Sequence, residues 1–115
     1  MTMKSLLKIF SKIQKEALER LRGKLFSDFP VKKIIIYGSA VRNELSPESD
    51  IDLLIITKFP IDREERHRIT DIVFEINLEF ATNYSTLVVD ENAWENGLYS
   101  VLPLKEEVLN EGIVL

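Results

Sequence analysis

The chain has 115 residues, 45% of them hydrophobic and 30% charged, enough apolar material for one core. Its 15 Lys and Arg against 19 Asp and Glu leave a formal net charge of −4, which argues against broad, sequence-independent binding to nucleic acid, because that affinity comes from neutralising phosphates. Without cysteine disulfides and thiolate metal sites are excluded. The apolar runs are too short to span a bilayer and no uninterrupted amino-terminal stretch looks like a secretory signal, so a cytoplasmic location is expected.

From the amino terminus, Leu6, Ile9, Phe10, Ile13, Ala17, Leu18 and Leu21 recur at helical spacing. They predict one amphipathic helix from Met3 to Arg22 with Gly23 as its stop, the first section, 1–25, of a single domain spanning 1–115. Opposite lie Lys4, Lys8, Lys12 and Lys15, either a solvated face or a basic stripe for an acidic partner or a nucleic acid. The section 31–90 reads as a sheet core. Lys33-Ile34-Ile35-Ile36-Tyr37 is a β-branched run ending at Gly38, and Ile51 to Thr57 is another, closed by Phe59-Pro60. Both fit strands buried on two faces. Between them a short helical segment is expected from Ala40 to Glu44, then a turn over Leu45 to Ser49.

Asp62 is placed to cap a helix running to Phe80, with Ile69, Ile72, Val73, Ile76 and Phe80 on its apolar face. His67 on that helix has no second ligand at metal-binding spacing and reads as exposed surface. A third strand is expected from Tyr84 to Val89, and the section 91–115 as a helical tail in which Trp94 and Tyr99 pack against the sheet. If the end of the first strand and the start of the second meet one ligand, those two strands are antiparallel when adjacent. The strand-helix-strand order that follows favours parallel pairing of the second and third strands through a right-handed crossover.

The chemistry concentrates around the first two strands. Asp50 and Asp52 stand two positions apart at a strand entrance and so project to one face. Two like charges about 5 Å apart repel by about 3 kcal/mol at an effective dielectric of about 20, which calls for a cation or a shared proton. Oxygen ligands favour Mg²⁺ or Mn²⁺ over zinc. Gly38 lets a ligand approach the backbone, amides at Gly38 and Ser39 can cradle a phosphate, and Arg42 can reach back with a fixed positive charge. Tyr37 either packs the strand end or flanks a nucleotide. Singly, Gly38-Ser39 is a plain turn and the aspartates are solvated loop acids; their joint spacing is what points to a site.

Gly38-Ser39, ten residues, then Asp50-x-Asp52, with Arg42 completing Gly-Ser-x-x-Arg, resembles the signature of the minimal nucleotidyltransferase family, within the polymerase-beta-like nucleotidyltransferase superfamily. The likeness covers almost the whole chain, including Glu111-Gly112-Ile113 near its end. It implies an α+β, two-layer fold resembling the polymerase-beta palm, with a small mixed sheet of three to four strands and helices packed on it. It also implies transfer of a nucleoside monophosphate, AMP from ATP in the first instance, to a hydroxyl, assisted by two Mg²⁺ ions. Asp50 and Asp52 would be catalytic and metal-binding, and Gly38, Ser39 and Arg42 nucleotide-binding. The family's third carboxylate falls here on Ser85, and Asp90 lies about 17 Å further along at about 3.3 Å per residue. Glu75 and Glu79 read as a solvated helix face.

Small family members resemble antitoxins paired with helical HEPN proteins, some adenylylating a partner tyrosine. Such a partner is expected here, with homo-oligomerisation and a nucleic-acid terminal hydroxyl as further, weaker readings. The alternative, favoured by Ser85, is a catalytically weak or inactive binding module that occludes its partner.

Overall fold

Ile34, Ile35 and Ile36, with Leu53, Leu54, Ile55 and Ile56, are all buried, so the two central strands have no wet face and helices must cover both sides of the sheet. A computed structural model, which describes residues 2–42 and 49–115, shows how this is done. In chain order the elements are α1 (Met3–Ile9), α2 (Lys12–Asp28), β1 (Val31–Tyr37), β2 (Ile51–Thr57), α3 (Arg63–Phe80), β3 (Tyr84–Asp90), α4 (Glu91–Glu95), α5 (Pro103–Glu111) and β4 (Ile113–Val114). A 3₁₀ segment, Gly38–Arg42, follows β1 directly, and another, Leu98–Val101, joins α4 to α5.

The four strands form one mixed sheet in the order β3-β2-β1-β4. β1 and β2 are antiparallel, as expected if the end of one and the start of the other meet one ligand, and β2 and β3 are parallel, as the strand-helix-strand order favours. This is the expected α+β class. The tail departs from an all-helical ending: β4 pairs antiparallel with β1, Ile113 opposite Ile36 and Val114 opposite Ile35.

Strand alternation divides the core in two. Ile34, Ile36, Ile51, Leu53 and Ile55 join Leu21, Leu25, Ile69 and Ile76 from α2 and α3 on one face. Ile35, Leu54 and Ile56 point the other way, into a smaller cluster with Val89, Trp94 and Val108. The α4–α5 tail thus adds a thin layer on the second face, with Trp94 and Tyr99 packed there as expected. α3 begins at its Asp62 cap, whose carboxylate accepts from the Glu65 N–H. At its other end the Asn77 side chain bonds both backbone groups of Tyr84 at 2.9 Å, fixing where β3 starts.

The apolar spacing of the amino-terminal section predicts one helix; the chain forms two. Ser11 Oγ accepts from the Gln14 N–H at 3.0 Å and Gln14 Oε1 accepts from the Ser11 N–H at 2.8 Å, a reciprocal capping box that starts α2 afresh after α1 has ended. The restart turns Ile13 outward, 53% exposed, and buries Gln14 instead. Gly23 is not a stop either. A Cβ there would meet nothing within 4 Å, so its cost is the intrinsic penalty of about 1 kcal/mol, and burial of Leu21 and Leu25 carries α2 on to Asp28, past the expected boundary at residue 25. Lys4 and Lys8 are exposed on α1, Lys12 and Lys15 on α2, so the four lysines share no single helical face.

The segment expected from Ala40 begins two residues earlier, at Gly38; its expected end at Glu44 and the turn residues Leu45 to Glu48 lie outside the described residues. Among the described residues no helix is long and apolar enough to cross a membrane.

The Tyr84 hydroxyl donates to the Gln14 carbonyl at 2.6 Å in a buried contact joining β3 to α2, and burial pushes its pKa upward. Tyr84→Phe keeps the ring and removes the bond. Urea denaturation should show a loss of about 1–2 kcal/mol, the usual consequence of stripping a buried polar group of its partner.

Candidate active site

β1 runs into Gly38, whose φ of +82° lies in the left-handed region that side chains with a Cβ rarely adopt. The glycine is required a second time by space: a Cβ at this position would stand 2.5 Å from Asp52 Oδ2. The Asp52 carboxylate therefore rests directly against the backbone where β1 becomes the 3₁₀ segment. Register puts it there, because Tyr37 faces Asp52 across the antiparallel pair and Ser85 faces it across the parallel one. By the same alternation Asp52 shares the face of Leu54 and Ile56, so the site opens on the α4–α5 side.

Burial raises the pKa of Asp52 above the ordinary carboxylate range, and the charges of Asp50 and Glu107 raise it further, with Arg42 opposing them. Asp50, ahead of the strand, is exposed. The phenol of Tyr37 is raised by burial first, then by Asp52 and Glu107. Gly38, Ala40 and Val41 are buried and Ser39 is half-buried. Tyr37, Ser39, Arg42, Asp50 and Asp52 thus gather around the start of β2.

Two glutamates were not legible as part of this group. Arg42 Nη1 lies 3.3 Å from Glu107 Oε1 and 3.2 Å from Glu111 Oε2, so α5 contributes a carboxylate edge. Its approach depends on Gly112, where a Cβ would fall 2.5 Å from the Val108 carbonyl oxygen and 2.7 Å from Ile35 Cγ2. Two acids four residues apart on a helix are a common solvated pattern, and only the pairing of β4 with β1 brings them to Arg42.

Other acids stay away. Asp90 aligns with Thr57 at the opposite end of β2 and caps α4, its Oδ2 accepting from the Ala93 N–H at 3.0 Å. Glu75 is exposed and Glu79 pairs with Arg20 at 3.0 Å. His67 is exposed on α3. Ser85, beside Asp52, is exposed and carries no charge.

Among the described residues no three of His, Cys, Asp and Glu are grouped to cage an ion. An aspartate pair with oxygen donors, set against a glycine that a Cβ would close, nevertheless suits Mg²⁺, which commonly takes one or two carboxylates and completes its shell with phosphate oxygens and water.

Gly38→Ala should destabilise the fold by at least about 1–2 kcal/mol, the left-handed penalty alone, with displacement of Asp52 added; chemical denaturation reads the loss. Asp52 supplies a second expectation. Its folded-state pKa is raised, so the native protein holds the proton more tightly than the unfolded chain, and stability falls as pH rises from the unfolded carboxylate pKa through the folded one. In metal-free buffer at neutral pH, Asp52→Asn should melt above the wild type, an advantage that disappears below about pH 4. Calorimetry at the two pH values checks the sign.

Comparison with known proteins adds four similarities. The model of the nucleotidyltransferase domain family matches residues 18–114. A relative from Methanocaldococcus jannaschii, named Putative protein adenylyltransferase MJ1305, is 33% identical over 99 residues, 84% of this chain and 65% of the relative; this chain therefore spans less than two thirds of that protein. Among solved structures, a toxin-antitoxin complex with AMP-PNP aligns with a TM-score of 0.54 at 17% identity, covering 85% of this chain and 68% of that one. A variant of the toxin-antitoxin pair MntA-HpeT aligns at 0.52 and 19%, covering 88% and 69%. At these identities the structures establish a shared fold. The family match runs from within α2 to β4 and takes in the entire sheet together with Gly38 and Asp52: the chain belongs to the nucleotidyltransferase domain family.

Proposed function

We propose that this chain is a Mg²⁺-dependent nucleotidyltransferase that moves AMP from ATP, with release of pyrophosphate, to a hydroxyl, a tyrosine of a helical HEPN-type partner in a toxin-antitoxin pair, in the cytoplasm. The observation that carries the reading is the packing of the Asp52 carboxylate against Gly38, which brings the acid to a backbone that a phosphate can approach.

In this reading Asp50 and Asp52 hold the divalent cation. An ion held there would supply positive charge against the triphosphate and the departing pyrophosphate. The amides of Gly38 and Ser39 and the Ser39 hydroxyl hold the outer phosphates, and Arg42 adds a fixed positive charge. The name of the Methanocaldococcus jannaschii relative, which specifies protein adenylylation, supports a protein acceptor. The AMP-PNP and toxin-antitoxin context of the structural neighbours supports the nucleotide and the kind of partner.

A second reading is favoured by Ser85, which sits where a third carboxylate would face Asp52: the chain then acts as a binding module that silences its partner by covering it. One experiment separates the two. Incubated with Mg²⁺, α-labelled ATP and the candidate partner, the wild type should label the partner, and Asp50→Ala or Asp52→Ala should lower the rate by about 100-fold or more. Label that still moves in the double variant removes these acids from the chemistry. Partner binding without any transfer selects the module.

A further inference from the structure

Glu107 and Glu111 stand one turn apart on α5 and address the same nitrogen of Arg42, at 3.3 and 3.2 Å. A guanidinium that holds a carboxylate firmly uses two nitrogens side by side at about 2.8 Å. Here one nitrogen is shared, at greater length, between two acids. The three side chains are 41%, 40% and 39% exposed, so water and salt weaken the pairs further.

The 3₁₀ segment carrying Arg42 starts from Gly38 beneath Asp52, and α5 is set against β1 by the close approach at Gly112 and by β4. Glu107 is also near enough for its charge to act on both Asp52 and Tyr37. A triphosphate seated at Gly38 and Ser39 would offer Arg42 oxygens of higher charge density than either glutamate, and would repel Glu107.

We propose that Glu107 and Glu111 form an acidic latch on Arg42 that the incoming triphosphate displaces, making them specificity-determining residues that discriminate by phosphate charge. The inference rests on the nucleotide site proposed above. A nucleoside monophosphate carries too little charge to open the latch, and α5 keeps its hold on the 3₁₀ segment until a triphosphate arrives.

A double-mutant cycle tests this, with calorimetric titration of ATP and AMP in Mg²⁺ against the wild type, a Glu107→Gln/Glu111→Gln variant, Arg42→Ala, and the combination of all three. Opening the latch should tighten ATP binding by about fivefold when Arg42 is present and by less than about twofold when it is absent, with AMP almost unchanged. An equal gain in both backgrounds shows a general charge effect and overturns the latch. So does a loss of ATP affinity, or no change, in the glutamine variant. ATP binding without coupling overturns the latch alone; no ATP binding by any variant, each melting as a folded protein, overturns the nucleotide site with it.

Discussion

The close approach of the Asp52 carboxylate to Gly38 is the constraint on which the site depends, and it is imposed by the core. Tyr37 meets Asp52 only in the observed β1–β2 register. A slip of one residue would exchange the two faces of β2, turning Asp52 toward the cluster shared with α2 and α3 and Leu53 toward α5. The register is held by the isoleucines and leucines committed to opposite clusters, each worth about 1.5–3 kcal/mol of burial. An acid at the mouth of the sheet is thus aimed by apolar residues that never touch a ligand.

That aim conflicts with stability. Burial and the neighbouring charges of Asp50 and Glu107 all disfavour an ionised Asp52, and Arg42 is the named opposing charge. A fold shaped only for its own stability gains nothing from placing carboxylates together and squeezing one against a backbone. Under the proposed reading a bound cation would offset that cost, as in other sites that break a local rule and are compensated by what they bind. Arg42 is in a comparable position. Glu107 and Glu111, with partly exposed side chains, meet it through one nitrogen at 3.3 and 3.2 Å, weaker contacts than a polyphosphate would make.

Much of this was legible because it is local. β2 spans Ile51 to Thr57 as its apolar run predicts, and α3 starts at its Asp62 cap. The family resemblance pointed to Ser85 on the next strand, where the register sets it opposite Asp52, and counting along that strand put Asp90 at the far end. What escaped was set either by a competing local signal or by distance in the chain. At Ser11 the hydroxyl and Gln14 form a cap that outranks the apolar period through Phe10 and Ile13. In the tail, Ile113 and Val114 find a partner strand some 78 positions earlier, from Ile35 and Ile36, a pairing with no periodicity to announce it. Glu107 and Glu111 depend on that same pairing, so the acids beside Arg42 could not be recognised before the position of α5 was known.

Ser85 bears on the choice of acceptor. A serine cannot take a proton near neutral pH, and Glu107, a further carboxylate whose charge acts on Asp52, comes from α5 and is engaged with Arg42. Under the proposed reading the acceptor must therefore lose its proton with little help from β3. Among protein hydroxyls that requirement favours tyrosine, whose phenol ionises near about pH 10 and well before an aliphatic alcohol. A site without a third acid on β3 can still support transfer to a phenol whose oxygen is stabilised by an adjacent cation, while transfer to serine, threonine or a ribose hydroxyl would suffer most. In that reading the residue that removes a third acid from β3 also favours a tyrosine over an aliphatic hydroxyl as the acceptor.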